Sequence, residues 1–199
     1  MYNLIKKDIS QDYYKKNFSN EGQSFVVWYL RNIYNLDEIQ AKDCLTDGAD
    51  DKKIDAVFID DDNSIIHIIQ GKFYSGSING EPVQECNALF SNLKDLDALQ
   101  VNGNDIIKRK VSEISTALED EYKISIELIT TGYLTNSALA DFNLYKQQIS
   151  EQDELPAELL LIDNDALKVR YDDSLNKVTP YINQKFNLEK GKFLELNLD

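Results

Sequence analysis

Residues 48–74 read GADDKKIDAVFIDDDNSIIHIIQGKFY, and this stretch decides the fold. Two runs within it, Ile54 to Asp60 and Ile65 to Tyr74, are rich in Ile, Val, Phe and Tyr, and Asp60-Asp61-Asp62-Asn63 between them is turn chemistry. The pattern predicts a β-hairpin. Side chains alternate along a strand, so Ile66, Ile68, Gln70 and Lys72 share one face and His67 falls on the other. With a connection of about four residues, Asp55 lies opposite or diagonal to Gln70. A carboxylate, an amide and an ammonium are then expected to converge.

Those three groups suit metal-assisted phosphodiester chemistry. Mg²⁺ prefers hard oxygen ligands and is usually held by one or two carboxylates together with waters and phosphate oxygens. A lysine beside the ion stabilises charge developing on phosphorus or helps deprotonate the attacking water. The plainer reading is that Asp55 starts an ordinary strand while Gln70 and Lys72 sit on a solvated face. Against it, an Ile-rich hairpin of buried character carries these polar groups on matching faces, where a lysine without a partner is costly.

Asp55, fourteen intervening residues and then Gln70-Gly71-Lys72 resemble the PD-(D/E)XK nuclease signature, in the variant with glutamine in place of the acid. The run Gly48 to Ala56 followed by Ile69 to Phe73 resembles Mrr-type restriction endonucleases. It is closer still to the amino-terminal domain of AIPR-type abortive-infection phage-resistance proteins. The resemblance covers mainly residues 21–74, with a looser match near 124–145. It implies an α/β, restriction-endonuclease-like fold, with a mixed central β-sheet flanked by helices. It also implies a Mg²⁺ or Mn²⁺ site acting on DNA in phage defence. Gln70 is neutral where many members carry an acid, so another carboxylate is expected to help; Asp47, Asp50 and Asp51 are candidates.

Upstream, Phe18, Glu21, Phe25, Trp28, Tyr29, Asn32 and Ile33 recur at three- and four-residue intervals, the stripe of an amphipathic helix beginning near Ser19. Glu21 in its first turn has an ordinary explanation, a favourable interaction with the helix dipole. The resemblance implies a second one, that Glu21 joins Asp55 and Gln70 in the metal shell, with Lys72 completing the catalytic set.

The charge balance opposes a nuclease acting alone. Lys and Arg number 21 against 35 Asp and Glu, a formal net charge of −14, whereas nucleic-acid affinity rests on cationic contacts to phosphate. Among the basic clusters only Lys52-Lys53 adjoins the expected centre, and these two lysines are the candidate nucleic-acid contacts. A further domain or protomer is expected to supply the remaining affinity. No apolar run approaches the roughly 20 residues of a membrane span, and the first residues lack the apolar centre of a signal peptide; a cytoplasmic protein is expected. Cys44 and Cys86 are isolated and read as reduced, packed thiols. His67 is the only histidine, and its face argues against Ser-His or Cys-His catalysis.

Downstream, a polar loop at 75–82 precedes helical patterns over Val83 to Leu99 and Ile106 to Tyr122. Gln84 and Glu85, near the start of the first, are placed either to approach substrate or as ordinary helix-start residues. Ile124 to Thr131 reads as a strand, Ser137 to Tyr145 as a helix and Glu158 to Asp163 as a strand, with Asn164 or Asp165 capping one more helix. The chain is expected to form one domain with its core about 19–165. Residues 166–199 are expected to form a helical, apolar tail that either docks or begins a longer chain. Two function classes are expected: a metal-dependent DNA nuclease domain, or a non-catalytic acidic interaction or DNA-mimicking module of the same fold.

Overall fold

The hairpin forms: Ala56–Asp60 (β1) and Ile65–Lys72 (β2) pair antiparallel, from Ala56↔Ile69 to Asp60↔Ile65. Each strand is shorter at its open end than the apolar runs suggest, for reasons that bear on the site. The computed structural model describes residues 1–46 and 52–176. Asp47, Asp50, Asp51 and the apolar tail from Thr179 therefore lie outside the described residues.

Along the chain the helices are α1 (Tyr2–Ile9), α2 (Asp12–Asn17), α3 (Glu21–Asn32), α4 (Glu38–Asp43), α5 (Glu81–Leu93), α6 (Leu96–Asn102), α7 (Asp105–Glu119), α8 (Asn136–Ser150) and α9 (Asn164–Leu175). The further strands are β3 (Ser77–Ile78), β4 (Lys123–Thr130), β5 (Tyr133–Leu134) and β6 (Ala157–Ile162). β4 runs parallel to β2 and β6 parallel to β4, giving a mixed sheet of order β1-β2-β4-β6. β3 and β5 form a separate short parallel pair.

Alternation divides the core into two layers. Val57, Ile66, Ile68, Ile126 and Leu128 pack with Val83 and Leu89 of α5, Ile107 and Ile114 of α7, and Phe142 of α8. On the other face Ala56, Ile69, Ile129 and Ile162 meet Phe25, Val26 and Tyr29 of α3, together with Ile5 of α1 and Leu167 of α9. A parallel strand covered on both faces is apolar nearly throughout, and β4 is buried from Ile124 to Thr130. The core therefore takes in residues on both sides of 19–165.

Capping side chains account for the boundaries that periodicity misplaces. Asn20 accepts the Gln23 N–H, so α3 begins at Glu21 rather than near Ser19. Asp95 accepts the Ala98 N–H and splits the Val83–Leu99 pattern into α5 and α6. The cap of α9 is Asp163, not Asn164 or Asp165; its carboxylate accepts from the N–H groups of both Asp165 and Ala166. Among the described residues no helix is long and apolar enough to cross a membrane. Cys44 and Cys86 are free and buried.

His67 sits on the α3 face, as alternation requires. It belongs to a buried network centred on Glu127 of β4, which is 1 % exposed. Tyr29 and Tyr34 donate to its two carboxylate oxygens at 2.7 and 2.6 Å, and His67 Nδ1 lies 3.2 Å from one of them. Arg170 reaches in from α9 to the Tyr29 hydroxyl at 2.5 Å and to Glu127 at 3.5 Å. A buried carboxylate needs this density of partners, and here it fastens α3 and α9 to the sheet.

Candidate active site

Asp55 is aimed by a bulge. Its N–H donates to the Ile69 carbonyl at 2.9 Å, although Ala56 is the register partner of Ile69. Two consecutive residues thus face one on the neighbouring strand, an arrangement that re-aims a side chain and strengthens local twist. The Asp55 carboxylate accepts the Gly71 N–H at 2.7 Å, a donor that β1 has ended too soon to receive. Simple alternation places Asp55 on the Gln70 face. The bulge instead brings its carboxylate to a cleft of about 200 Å³ shared with Gly22, Gln23 and Val26 of α3, and with Lys72.

Gly71 is required for that approach. A Cβ at this position would lie 2.5 Å from Val26 Cγ2 and 3.7 Å from Asp55 Oδ2. The glycine between Gln70 and Lys72 therefore lets α3 close on β2 beside the carboxylate.

Gln70 and Lys72 meet on the α5 face, and the group that joins them is Glu85. Lys72 Nζ lies 2.7 Å from Glu85 Oε2, Gln70 Nε2 donates to the same oxygen at 2.9 Å, and Lys53 Nζ lies 3.0 Å from Oε1. Burial acts to raise the Glu85 carboxyl, but its hydrogen bonds with Lys72 and Lys53 and their charges outweigh it, holding the group below its ordinary value. Gln70 is 1 % exposed, and its Oε1 accepts from the thiol of Cys86 at 3.0 Å. Burial pushes that thiol up to about 12, so Cys86 stays a protonated donor. As oriented, Gln70 reaches the site by holding Glu85 and does not offer its own oxygen to a metal, contrary to the expectation from alternation.

Lys72 is the one candidate that lines both clefts. The second, about 260 Å³, runs past Tyr74, Ser77, Asn79 and Glu85. Lys72 thus borders one cleft with Asp55 and the other with Glu85, and its ammonium is paired with Glu85. Lys52 and Lys53 lead into Asp55 with consecutive positive φ angles of 56° and 69°. That backbone costs non-glycine residues of order 1–3 kcal/mol each and recurs at functional sites.

Glu21 is not brought in. Its carboxylate pairs with Lys6 of α1 in an exposed contact, and Gly22, Gln23 and Val26 of α3 face the cleft in its place. The apolar stripe gives the helix the right face but not the phase of its first residue, which sits where α1 can reach it. The residue that the sequence pattern underweights is Glu85. Its signal is an acid one turn into the helix after the Lys72 strand.

Among the described residues no group of three or more His, Cys, Asp or Glu side chains is placed to hold a metal ion. Asp55 lines the cleft on the α3 side of Lys72, and Glu85 lines the other, paired with the Lys72 ammonium. A single carboxylate such as Asp55 suits Mg²⁺ only where waters and substrate phosphate complete the shell.

No protein-family model, curated protein or solved structure matches the chain.

Proposed function

We propose that this chain is a divalent-metal-dependent phosphodiesterase domain of restriction-endonuclease-like fold, hydrolysing DNA in phage defence. The observation that carries the reading is the position of Lys72, in both clefts at once with Asp55 on one side and Glu85 on the other. The resemblance of the Asp55…Gln70-Gly71-Lys72 pattern to PD-(D/E)XK nucleases supplies the reaction class. Asp55, with waters and substrate phosphate, would hold Mg²⁺ or Mn²⁺, which when bound polarises the phosphoryl group and lowers the pKa of a water.

The chain's own residues then have separate tasks. Lys72 donates to the non-bridging phosphoryl oxygens, whose charge grows as water adds to phosphorus and the bond to the leaving oxygen breaks. Glu85 fixes the Lys72 ammonium, and Gln70 fixes Glu85. The Gly71 N–H holds the Asp55 carboxylate in one orientation. With a net charge of −14, the domain draws most duplex affinity from a basic partner domain or protomer.

One observation favours the second reading, a non-catalytic acidic module: Glu85 already pairs with both Lys53 and Lys72. The test is a cleavage assay on DNA with Mg²⁺ and Mn²⁺, comparing the full chain with Lys72→Ala and Asp55→Ala at matched purity. Each variant is expected to keep its circular dichroism spectrum and lose about 10²–10³ in rate, the usual loss when a group stabilising transition-state charge is removed. Equal cleavage by all three assigns the activity to a contaminant and leaves the acidic module.

A further inference from the structure

The cleft beside Lys72 contains a feature that phosphodiester hydrolysis does not use. Tyr74, two residues beyond Lys72, is 52 % exposed, yet its backbone is tightly held. Its N–H donates to Thr131 Oγ1 at 3.1 Å, and the Thr131 hydroxyl donates back to its carbonyl at 2.8 Å. The next segment is pinned along its length. Tyr133 N–H donates to the Gly76 carbonyl at 3.1 Å and Thr135 N–H to that of Ile78 at 2.9 Å. Gly132 makes the fit possible, since a Cβ there would lie 2.2 Å from the Gly76 oxygen. A large aromatic ring is thus presented to solvent from a rigid wall. Among the described residues it makes no ring contact and no side-chain hydrogen bond.

We propose that this cleft is a base-stacking subsite: the Tyr74 ring holds an unpaired nucleobase while Lys72 meets the adjoining phosphate, so the substrate class is single-stranded or frayed nucleic acid. The proposal rests on the phosphodiesterase reading and specifies its substrate. At about 260 Å³ the cleft is below the roughly 300–1,000 Å³ of drug-sized ligand sites, the scale of one flat ring system. Ser77 and Asn79 on its wall supply hydrogen-bonding groups for a base edge. In a duplex the base faces are already stacked on one another, so only an unpaired base can lie on the ring.

Charge points the same way. A duplex brings two rows of phosphates to a chain of net charge −14, and Lys53 and Lys72, the lysines seen at this cleft's Glu85, are both paired with it. Within this chain, affinity not supplied by cation–phosphate contacts is left to the bases. Stacking on an aromatic side chain provides it without regard to sequence.

The test is binding of the full chain to fluorescently labelled oligonucleotides without divalent metal: a single strand, the corresponding duplex, and a strand of the same length lacking bases. Wild type is expected to favour the single strand. Tyr74→Ala is expected to weaken that binding about 5- to 150-fold, the equivalent of the 1–3 kcal/mol found per stacked base, while Tyr74→Phe retains it. The base-free strand is expected to bind wild type no better than the intact strand binds Tyr74→Ala. The proposal is overturned by equal affinity of wild type and Tyr74→Ala for the single strand, by equal affinity for the base-free strand, or by no binding of wild type to any strand. A cleavage assay on the same strands separates the two readings. Tyr74-dependent binding without Lys72-dependent cleavage keeps the subsite and removes the hydrolysis, and Lys72-dependent cleavage indifferent to Tyr74→Ala does the reverse.

Discussion

Glu85 Oε2 lies 2.7 Å from Lys72 Nζ, which makes a residue of α5, not the helix-start Glu21, the acidic partner of the candidate catalytic lysine. The Glu85→Gln variant preserves shape and a hydrogen-bonding oxygen for Gln70 but removes the charge. If Glu85 supports the metal site through Lys72, half-maximal cleavage by Glu85→Gln needs about 10–100 times more Mg²⁺, the range seen when groups supporting a metal site are altered. Glu21→Gln leaves the Mg²⁺ requirement unchanged. A Mg²⁺ titration of initial rates decides. An unchanged requirement in Glu85→Gln with tighter DNA binding would make Glu85 only a counter-ion that occupies the lysines.

Gly71 couples the packing of α3 to the aim of Asp55. A methyl group there meets Val26 Cγ2 at 2.5 Å, and overpacking of this kind costs about 1–3 kcal/mol. Gly71→Ala is expected to lower the urea midpoint and to lose more cleavage than the unfolded fraction explains, because the same residue's N–H holds the Asp55 carboxylate. Adding Val26→Ala makes room, so the double variant should be more stable than the sum of the single changes predicts. Strict additivity in a double-mutant cycle would place the strain elsewhere.

Particular residues show how far local pattern reaches. Alternation over Ile65–Lys72 places His67 on one face and Gln70 with Lys72 on the other, and the pairing of β1 with β2 comes from the same apolar runs. The aim of Asp55 is not legible: the bulge that turns it depends on Ile69 accepting from Asp55, a non-local bond that no local pattern encodes. Glu21 shows the opposite error. The stripe includes it in sequence, yet it is exposed in the first turn of α3 and pairs with Lys6 of α1, a short helix in which only Ile5 and Ile9 are buried. Glu85 lies among expected helix-start residues, and only its tertiary contacts with Gln70 and Lys72 single it out.

The Glu127 network gives a stability prediction with a definite pH dependence. Burial acts to raise the Glu127 carboxyl, but the hydrogen bond from His67, the charge of Arg170 and the Tyr34 hydroxyl outweigh it, holding the group below its ordinary 4.5. A carboxyl depressed in the folded state binds its proton more readily when the chain is unfolded. Its contribution to stability is therefore complete above the unfolded value and is lost as pH falls through the folded one. Near neutral pH, Glu127→Gln removes the charge facing Arg170 and leaves a partly buried cation short of its partner, at a cost of about 3–5 kcal/mol. As the pH falls below the ordinary 4.5 and through the depressed folded-state value, wild-type Glu127 itself moves towards the protonated form, which glutamine resembles, so the gap between the two proteins should narrow. Urea denaturation of both across this range is the measurement, with cleavage per folded molecule as a control, because Glu127 lies on the sheet face opposite Gln70 and Glu85. A gap that stays constant as the pH falls would mean that the carboxylate charge does not stabilise the junction of α3, α9 and the sheet, and that shape alone holds it.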